Sequence, residues 1–354
     1  MVSGSLAGTG IGTALSGFSS PRIGEQRSAL IGLFLFAVPL AIGTLIGSSI
    51  VFIVLYILTG LGCGLMTTPT YSIAATLVPK RKGAAVGFAS AAYNLGGFIG
   101  PPLCGSFLNY YGWQYPFLGM SLMGIAFAAV FAKGLSGFDQ EQKRLGDLRG
   151  VSQKSVMKKL GSIARNRNLI VIGSSMAIAD FAYLSFASWT IDYMQTRFSL
   201  GKSASSDLDL YFGIAVGVGG LGVIAGGIMN DRFGGKRTAL LSGSLSAILT
   251  LLMYLSESYL LAIVFLFAVG FFSGWFWGLL SAMAQANVPD ESRASAVSFV
   301  QTIAFVGAVL GPGVAGYLFG NNVTSLPLIL TVSIPFVAFT MVLLFLYREP
   351  SFQE

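Results

Sequence analysis

One acidic residue in an apolar setting is the part of this sequence best placed to do chemistry. Asp180 lies near the middle of an apolar segment, residues 168–195, and Tyr183 follows one turn later on the same helical face. A carboxylate at the centre of a bilayer costs ~2.5–3.5 kcal/mol on insertion scales, so chance placement is disfavoured. We therefore expect Asp180 to carry a coupling proton or to contact a cationic solute. The alternative is a structural aspartate that bonds to neighbouring helices.

Two amide side chains lie at similar depth in other apolar segments. Asn94 is in the middle of residues 83–108, and Gln301 is about one turn from the centre of residues 294–319. With Asp180 and Tyr183 they form the predicted substrate or proton-coupling set. An equally open alternative is that both amides only hydrogen-bond between helices.

Missing residue types exclude several kinds of catalysis. The chain has no histidine, which excludes Ser-His and Cys-His catalysis and histidine metal sites. The two cysteines, Cys63 and Cys104, both lie in apolar segments and make no disulfide framework. The spacing Gly217-x-Gly219-x-x-Gly222 fits a dinucleotide-binding loop, but an apolar segment surrounds it. We expect no enzyme activity, no cofactor and no bound metal.

Composition places these residues in a membrane. With 54% apolar and 10% charged residues and a mean hydropathy of +0.75, the chain is unlike a soluble globule. These values predict an all-α, polytopic membrane protein. Eleven runs are long enough to span a bilayer, at residues 1–18, 28–47, 49–76, 83–108, 113–132, 168–195, 211–229, 238–255, 259–286, 294–319 and 325–347.

The distribution of charge predicts the orientation of these spans. The net charge of +7 includes 21 Lys and Arg residues, which lie mainly in the connections between apolar runs. If the loop after the first span is cytoplasmic, all of them except Arg197 and Lys202 face the cytoplasm, as the positive-inside rule requires. We therefore expect a multi-pass protein of the cell membrane with a cytoplasmic C-terminus and no nucleic-acid partner.

The chain contains one membrane unit twice. Small residues at every fourth position leave one helix face bare, so that a neighbouring backbone can approach closely. Such a helix-packing motif recurs 211 residues further on, where Gly96, Gly100, Pro101 and Gly105 correspond to Gly307, Gly311, Pro312 and Gly316. Residues 168–195 have no counterpart, since it would precede Met1. We expect a plan of six plus six helices without the first, and about 25 further apolar residues encoded upstream.

A charged motif between two apolar runs carries a family resemblance. It reads Gly227-x-x-x-Asp231-Arg232-Phe233-Gly234-Gly235-Lys236-Arg237 and resembles the loop signature of the major facilitator superfamily. The Gly-x-x-x-Gly-Pro helices resemble the fifth and eleventh helices of that family, best known from exporters and antiporters. The resemblance implies two pseudo-symmetric six-helix bundles with 11 of 12 helices present. One departure is Tyr56, at the position of an arginine often tied to proton coupling.

The resemblance also implies a conformational latch for the outward-facing form, made by Gly227, Asp231, Arg232 and Lys236. An acid at the end of one helix can dock on the positive N-terminus of a neighbouring helix. The alternative is that these charges only enforce the positive-inside topology.

The expected organisation follows from these segments. Residues 1–133 form an N-terminal bundle of five helices, 134–167 a cytoplasmic linker, 168–348 a C-terminal bundle of six helices and 349–354 a cytoplasmic tail. We expect a monomeric secondary transporter that moves a small solute across the lipid bilayer by alternating access. Protons are the expected coupling ion, and export by antiport is favoured over symport. The rival is a truncated, non-transporting membrane protein that binds or senses.

Overall fold

The computed structural model describes residues 2–46, 48–77, 95–105, 107, 111–135, 163–288, 293–319 and 324–348. Every regular element among these residues is helical, so the predicted all-α class is confirmed. The helices are α1 (Val2–Ile23), α2 (Glu25–Ile46), α3 (Ser49–Leu77), α4 (residues 95–105), α5 (Gln114–Gly134), α6 (Arg167–Arg197), α7 (Lys202–Phe233), α8 (Gly235–Leu255), α9 (Tyr259–Ala286), α10 (Arg293–Phe319) and α11 (Ser325–Leu346).

Nine helices within the described residues are long and apolar enough to cross a membrane. Most begin and end within a few residues of the predicted spans, but α7 begins at Lys202 and not at residue 211. Its first turns are rich in Ser and Asp, so they do not read as apolar in the sequence. Leu208 and Phe212 are nevertheless buried in the core, and acidic residues near a helix N-terminus are favourable.

The chain forms two compact units. One contains α1, α2, α3 and α5, and the other contains α4 and α6 to α11. The boundary within the predicted N-terminal bundle is notable, because residues 94–105 group with the second unit. Most of the predicted linker, residues 136–162, and residues 83–94 of the fourth predicted span lie outside the described residues.

Glycines bring α1 and α3 of the first unit into backbone contact. A Cβ atom at Gly8 would meet Ile57 O and lie 2.9 Å from Leu61 N, and one at Gly64 would lie 2.6 Å from Thr13 N. Such close approach gains van der Waals contact, which drives helix association where lipid removes the hydrophobic difference. α5 joins this unit through Ser121, whose hydroxyl donates to Ala37 O of α2 at 2.7 Å.

The core of the second unit is built around α6. This helix has the largest buried share among the nine candidate spans of the described residues, 56%. Phe186 and Tyr193 of α6 are fully buried, and the Tyr193 hydroxyl donates to Tyr254 O of α8 at 2.8 Å. Thr190 bonds the Tyr254 hydroxyl at 2.9 Å. These bonds satisfy polar groups inside an apolar core, where an unpaired one is costly.

A π-helical turn, Ile329–Ser333, interrupts α11 directly before Pro335. Proline has no N–H, and its ring crowds the carbonyl four residues earlier, that of Thr331. The wider turn accommodates that crowding. The Ser333 and Thr250 hydroxyls bond at 2.9 Å, which fixes the turn against α8.

Candidate functional site

The site residues predicted at mid-depth centre on α6. Asp180 and Tyr183 are both half-buried on this helix, one turn apart. The Tyr183 ring lies 6.4 Å from that of Phe276 on α9, edge to face, and 6.2 Å from that of Phe186. Asp180 therefore lies on an interior helix beside an aromatic cluster, an environment that raises the cost of an uncompensated charge.

The second Gly-x-x-x-Gly-Pro motif fixes α10 against the same helix. A Cβ atom at Gly307 would collide with Ala177 O, and one at Gly311 would meet Phe181 O and lie 2.8 Å from the Ser185 hydroxyl. These contacts bracket Asp180, because Ala177 and Phe181 lie just before and just after it along α6. The motif therefore holds the helix segment that carries the carboxylate.

Two residues further along α10 continue this contact. The Trp189 indole N–H of α6 donates to Pro312 O at 2.9 Å, and a Cβ atom at Gly316 would lie 2.6 Å from the Trp189 ring. Proline at position 312 leaves its own carbonyl available, and the tryptophan satisfies its buried N–H there.

The first motif makes different contacts. No atom of the described residues lies within 4 Å of a Cβ atom placed at Gly96 or Gly100, and Pro101 is half-buried. The α4 helix instead packs on α7 through another face. A Cβ atom at Gly213 would lie 2.5 Å from Phe98 O, and one at Gly217 would lie 2.8 Å from the Phe98 ring.

The other two members of the predicted set are not brought to Asp180 by any described contact. Gln301 is exposed on α10. Asn94 lies outside the described residues. The roles of both in substrate binding or coupling stay predictions.

The four residues of the predicted latch lie at two neighbouring helix ends. Gly227, Asp231 and Arg232 are exposed in the last turns of α7, and the Asn230 amide donates to the Asp231 carboxylate at 3.4 Å. Gly234, with φ of 82°, joins α7 directly to α8. Because Asp231 lies at the negative end of its own helix dipole, a positive partner from elsewhere would relieve an unfavourable position.

Lys236 differs from the other three. Its ammonium group donates to Tyr347 O at the end of α11, at 2.9 Å. That bond caps a helix within the same unit. Lys236 is thus engaged in this structure with a partner that the loop motif did not indicate.

We expect Asp231→Asn to shift the protein toward the inward-facing form and to slow transport without changing membrane insertion. Loss of the charge removes the attraction to a helix N-terminus, typically worth about 0.3–1 kcal/mol. Labelling of single cysteines placed on the two membrane faces measures the shift. Glu257→Gln, the same change at an exposed acid before α9, is the matched control. Unaltered labelling on both faces would leave charge topology as the role of Asp231.

Sequence reasoning missed Asp209. It is half-buried on α7 and directly abuts Gly105 of α4, where a Cβ atom would collide with its carboxylate. Asp192 of α6 lies close enough for the two charges to interact. Asp209 was missed because the span was expected to start at residue 211. The buried pair Leu208 and Phe212, at helical spacing on either side, was the available signal.

Comparison with known proteins adds the family. The model of the Major Facilitator Superfamily matches residues 1–229 and 205–354. The cis,cis-muconate transport protein of Acinetobacter baylyi is 23% identical over 320 residues, covering 88% of this chain and 76% of the relative. The probable L-galactonate transporter of Escherichia coli is 21% identical over 386 residues, covering 98% and 82%.

The fold also matches a solved structure. The inward-open xylose transporter XylE from Escherichia coli superposes with a TM-score of 0.72 at 17% identity, covering 99% of this chain and 86% of that one. At this identity the likeness supports the fold alone. The family model covers nearly the whole chain, so the resemblance drawn from the loop and glycine motifs is confirmed. The chain belongs to the Major Facilitator Superfamily and is a multi-pass membrane transporter of small metabolites, not an enzyme.

Proposed function

We propose that the protein is a proton-coupled secondary transporter that works by alternating access, with Asp180 as the group that binds the coupling proton. The observation that carries this proposal is the half-buried carboxylate in the middle of α6, the most buried of the candidate spans in the described residues. Ionisable residues inside membrane spans are rare and mark ion or proton pathways. Tyr183, one turn away, is placed to influence the protonation of Asp180.

Antiport is the favoured direction of coupling. If a neutral or cationic solute and a proton compete for Asp180, binding of one releases the other, and exchange across the membrane follows. The Gly-x-x-x-Gly-Pro helices, typical of exporters and antiporters, support this reading. Export by exchange is therefore the first candidate.

Symport of an organic acid is the second candidate. The muconate and galactonate relatives are both named for carboxylate substrates. An anion would be repelled by an ionised Asp180, so it would bind together with a proton and not in competition with one. The two candidates thus predict opposite effects of a proton gradient on the direction of net flux.

Reconstitution into liposomes tests both candidates. Purified protein is assayed for counterflow of cis,cis-muconate, L-galactonate and xylose, and then for net flux under an imposed pH gradient. Flux of solute against the proton flow indicates antiport, and flux with it indicates symport. Solute binding without counterflow would overturn the transport proposal and favour a binding or sensing role.

A further inference from the structure

Three asparagines join helix ends of the second unit in one hydrogen-bonded group, which we call the amide clamp: Asn166, Asn168 and Asn287. Asn166 is the N-cap of α6, with its side-chain oxygen accepting from Asn168 N at 3.0 Å. Asn287 is the C-cap of α9. All three side chains are half-buried, where an unsatisfied amide group would be costly.

Asn287 is the centre of the clamp. Its side-chain nitrogen donates to Met283 O at 2.8 Å and to the Tyr347 hydroxyl at 3.2 Å. Its side-chain oxygen accepts from the Asn168 amide at 2.7 Å. The reverse orientation of this amide would place its oxygen against the Met283 carbonyl, so the surroundings fix which atom is nitrogen.

The same amides satisfy carbonyl groups that helix ends leave without a partner. The Asn168 nitrogen also donates to Arg348 O at 2.9 Å, and the Asn166 nitrogen donates to Asn287 O at 3.3 Å. These carbonyls follow the last turns of α11 and α9, where no intrahelical N–H is available. The start of α6 therefore caps the ends of two other helices.

Lys236 brings a fourth helix into the group. It is the second residue of α8, a position where a positive charge opposes the helix dipole. Its ammonium group donates to Tyr347 O at 2.9 Å, and Tyr347 is only 4% exposed. A Cβ atom at Gly235 would lie 2.7 Å from the Met283 side chain, which shows how closely α8 begins against α9.

We propose that the amide clamp and Lys236 make this end of the second unit a single cooperative body, so that the ends of α6, α8, α9 and α11 open together. Each donor of Asn168 and Asn287 has an acceptor on a neighbouring turn or helix, and a fully satisfied network is stronger than its separate bonds. Lys236 acts here by capping α11, in addition to any role that it has in the loop motif. This inference goes beyond the proposed transport activity, since it concerns which parts of the unit move as one.

Hydrogen–deuterium exchange of the purified full chain tests the proposal. In Asn287→Ala, exchange is expected to rise by a similar factor, about tenfold, at residues 166–170, 235–239, 283–288 and 344–348, as in a cooperative opening. Asn168→Ala breaks the same bond from the other side and should give the same pattern. Asn230→Ala is the matched control, because that amide donates within α7, and it should leave these segments unchanged.

Two outcomes would overturn the proposal. One is a rise confined to residues 283–288 in Asn287→Ala, which would make Asn287 a local helix cap. The other is a double variant, Asn168→Ala with Asn287→Ala, whose effect equals the product of the two single effects, which would show that the bonds are independent. If Asn287→Ala does not fold, Asn168→Ala and Lys236→Met give the same comparison across the four segments.

Discussion

Asp180→Asn is expected to abolish uphill transport driven by a pH gradient while sparing downhill exchange of a neutral solute. Asparagine keeps the size and hydrogen-bonding capacity of the side chain but cannot take up and release a proton in the physiological range. The coupling proton then has no binding site on α6, whereas the contacts that hold the helix, at Ala177 and Phe181, are unchanged. Downhill exchange needs those contacts and not the proton.

The measurement compares solute accumulation in liposomes under a pH gradient with counterflow at equal pH. Asp207→Asn, the same change at an exposed acid near the start of α7, is the matched control and should retain both activities. A Tyr183→Phe variant should shift the pH dependence without abolishing accumulation, because it removes only a hydroxyl near the carboxylate. Accumulation by Asp180→Asn with the parental pH dependence would show that another group couples the proton.

The helices could be predicted from the sequence because membrane spans depend on local composition. Long apolar runs must satisfy their own backbone groups in lipid, so eleven runs became eleven helices within the described residues, with α4 described only in part. The start of α7 was the exception. Seryl and aspartyl residues 203–209 lower the apolar content there, but packing of Leu208 and Phe212 into the core extends the helix.

The partners of polar side chains could not be predicted in the same way. Lys236 belongs to a charged loop motif, yet its nearest described acceptor is the carbonyl of Tyr347, 111 residues further along the chain. Asp209 meets Gly105 of α4, a contact that depends on how two distant helices cross. Such contacts depend on tertiary packing, which hydrophobic periodicity does not encode.

The two copies of the glycine motif are expected to respond oppositely to the same mutation. Gly307→Ala should destabilise the protein by about 3 kcal/mol, because its Cβ atom would collide with Ala177 O and force α10 away from α6. Gly96→Ala, at the corresponding position of α4, should be neutral or stabilising by up to ~1 kcal/mol. No atom of the described residues lies within 4 Å of that Cβ position, and alanine favours a helix over glycine.

Thermal unfolding in detergent, followed by the loss of the monodisperse peak in size-exclusion chromatography, separates the two cases. On the scale known for soluble domains, ~3 kcal/mol lowers the Tm by roughly 6–12 °C, so Gly307→Ala should be clearly resolved from the parent. Gly311→Ala should behave like Gly307→Ala, because its Cβ atom would meet Phe181 O. Gly100→Ala should behave like Gly96→Ala. An equal loss of stability in Gly96→Ala would mean that the first motif also meets a neighbouring backbone, and that the two halves pack alike around it.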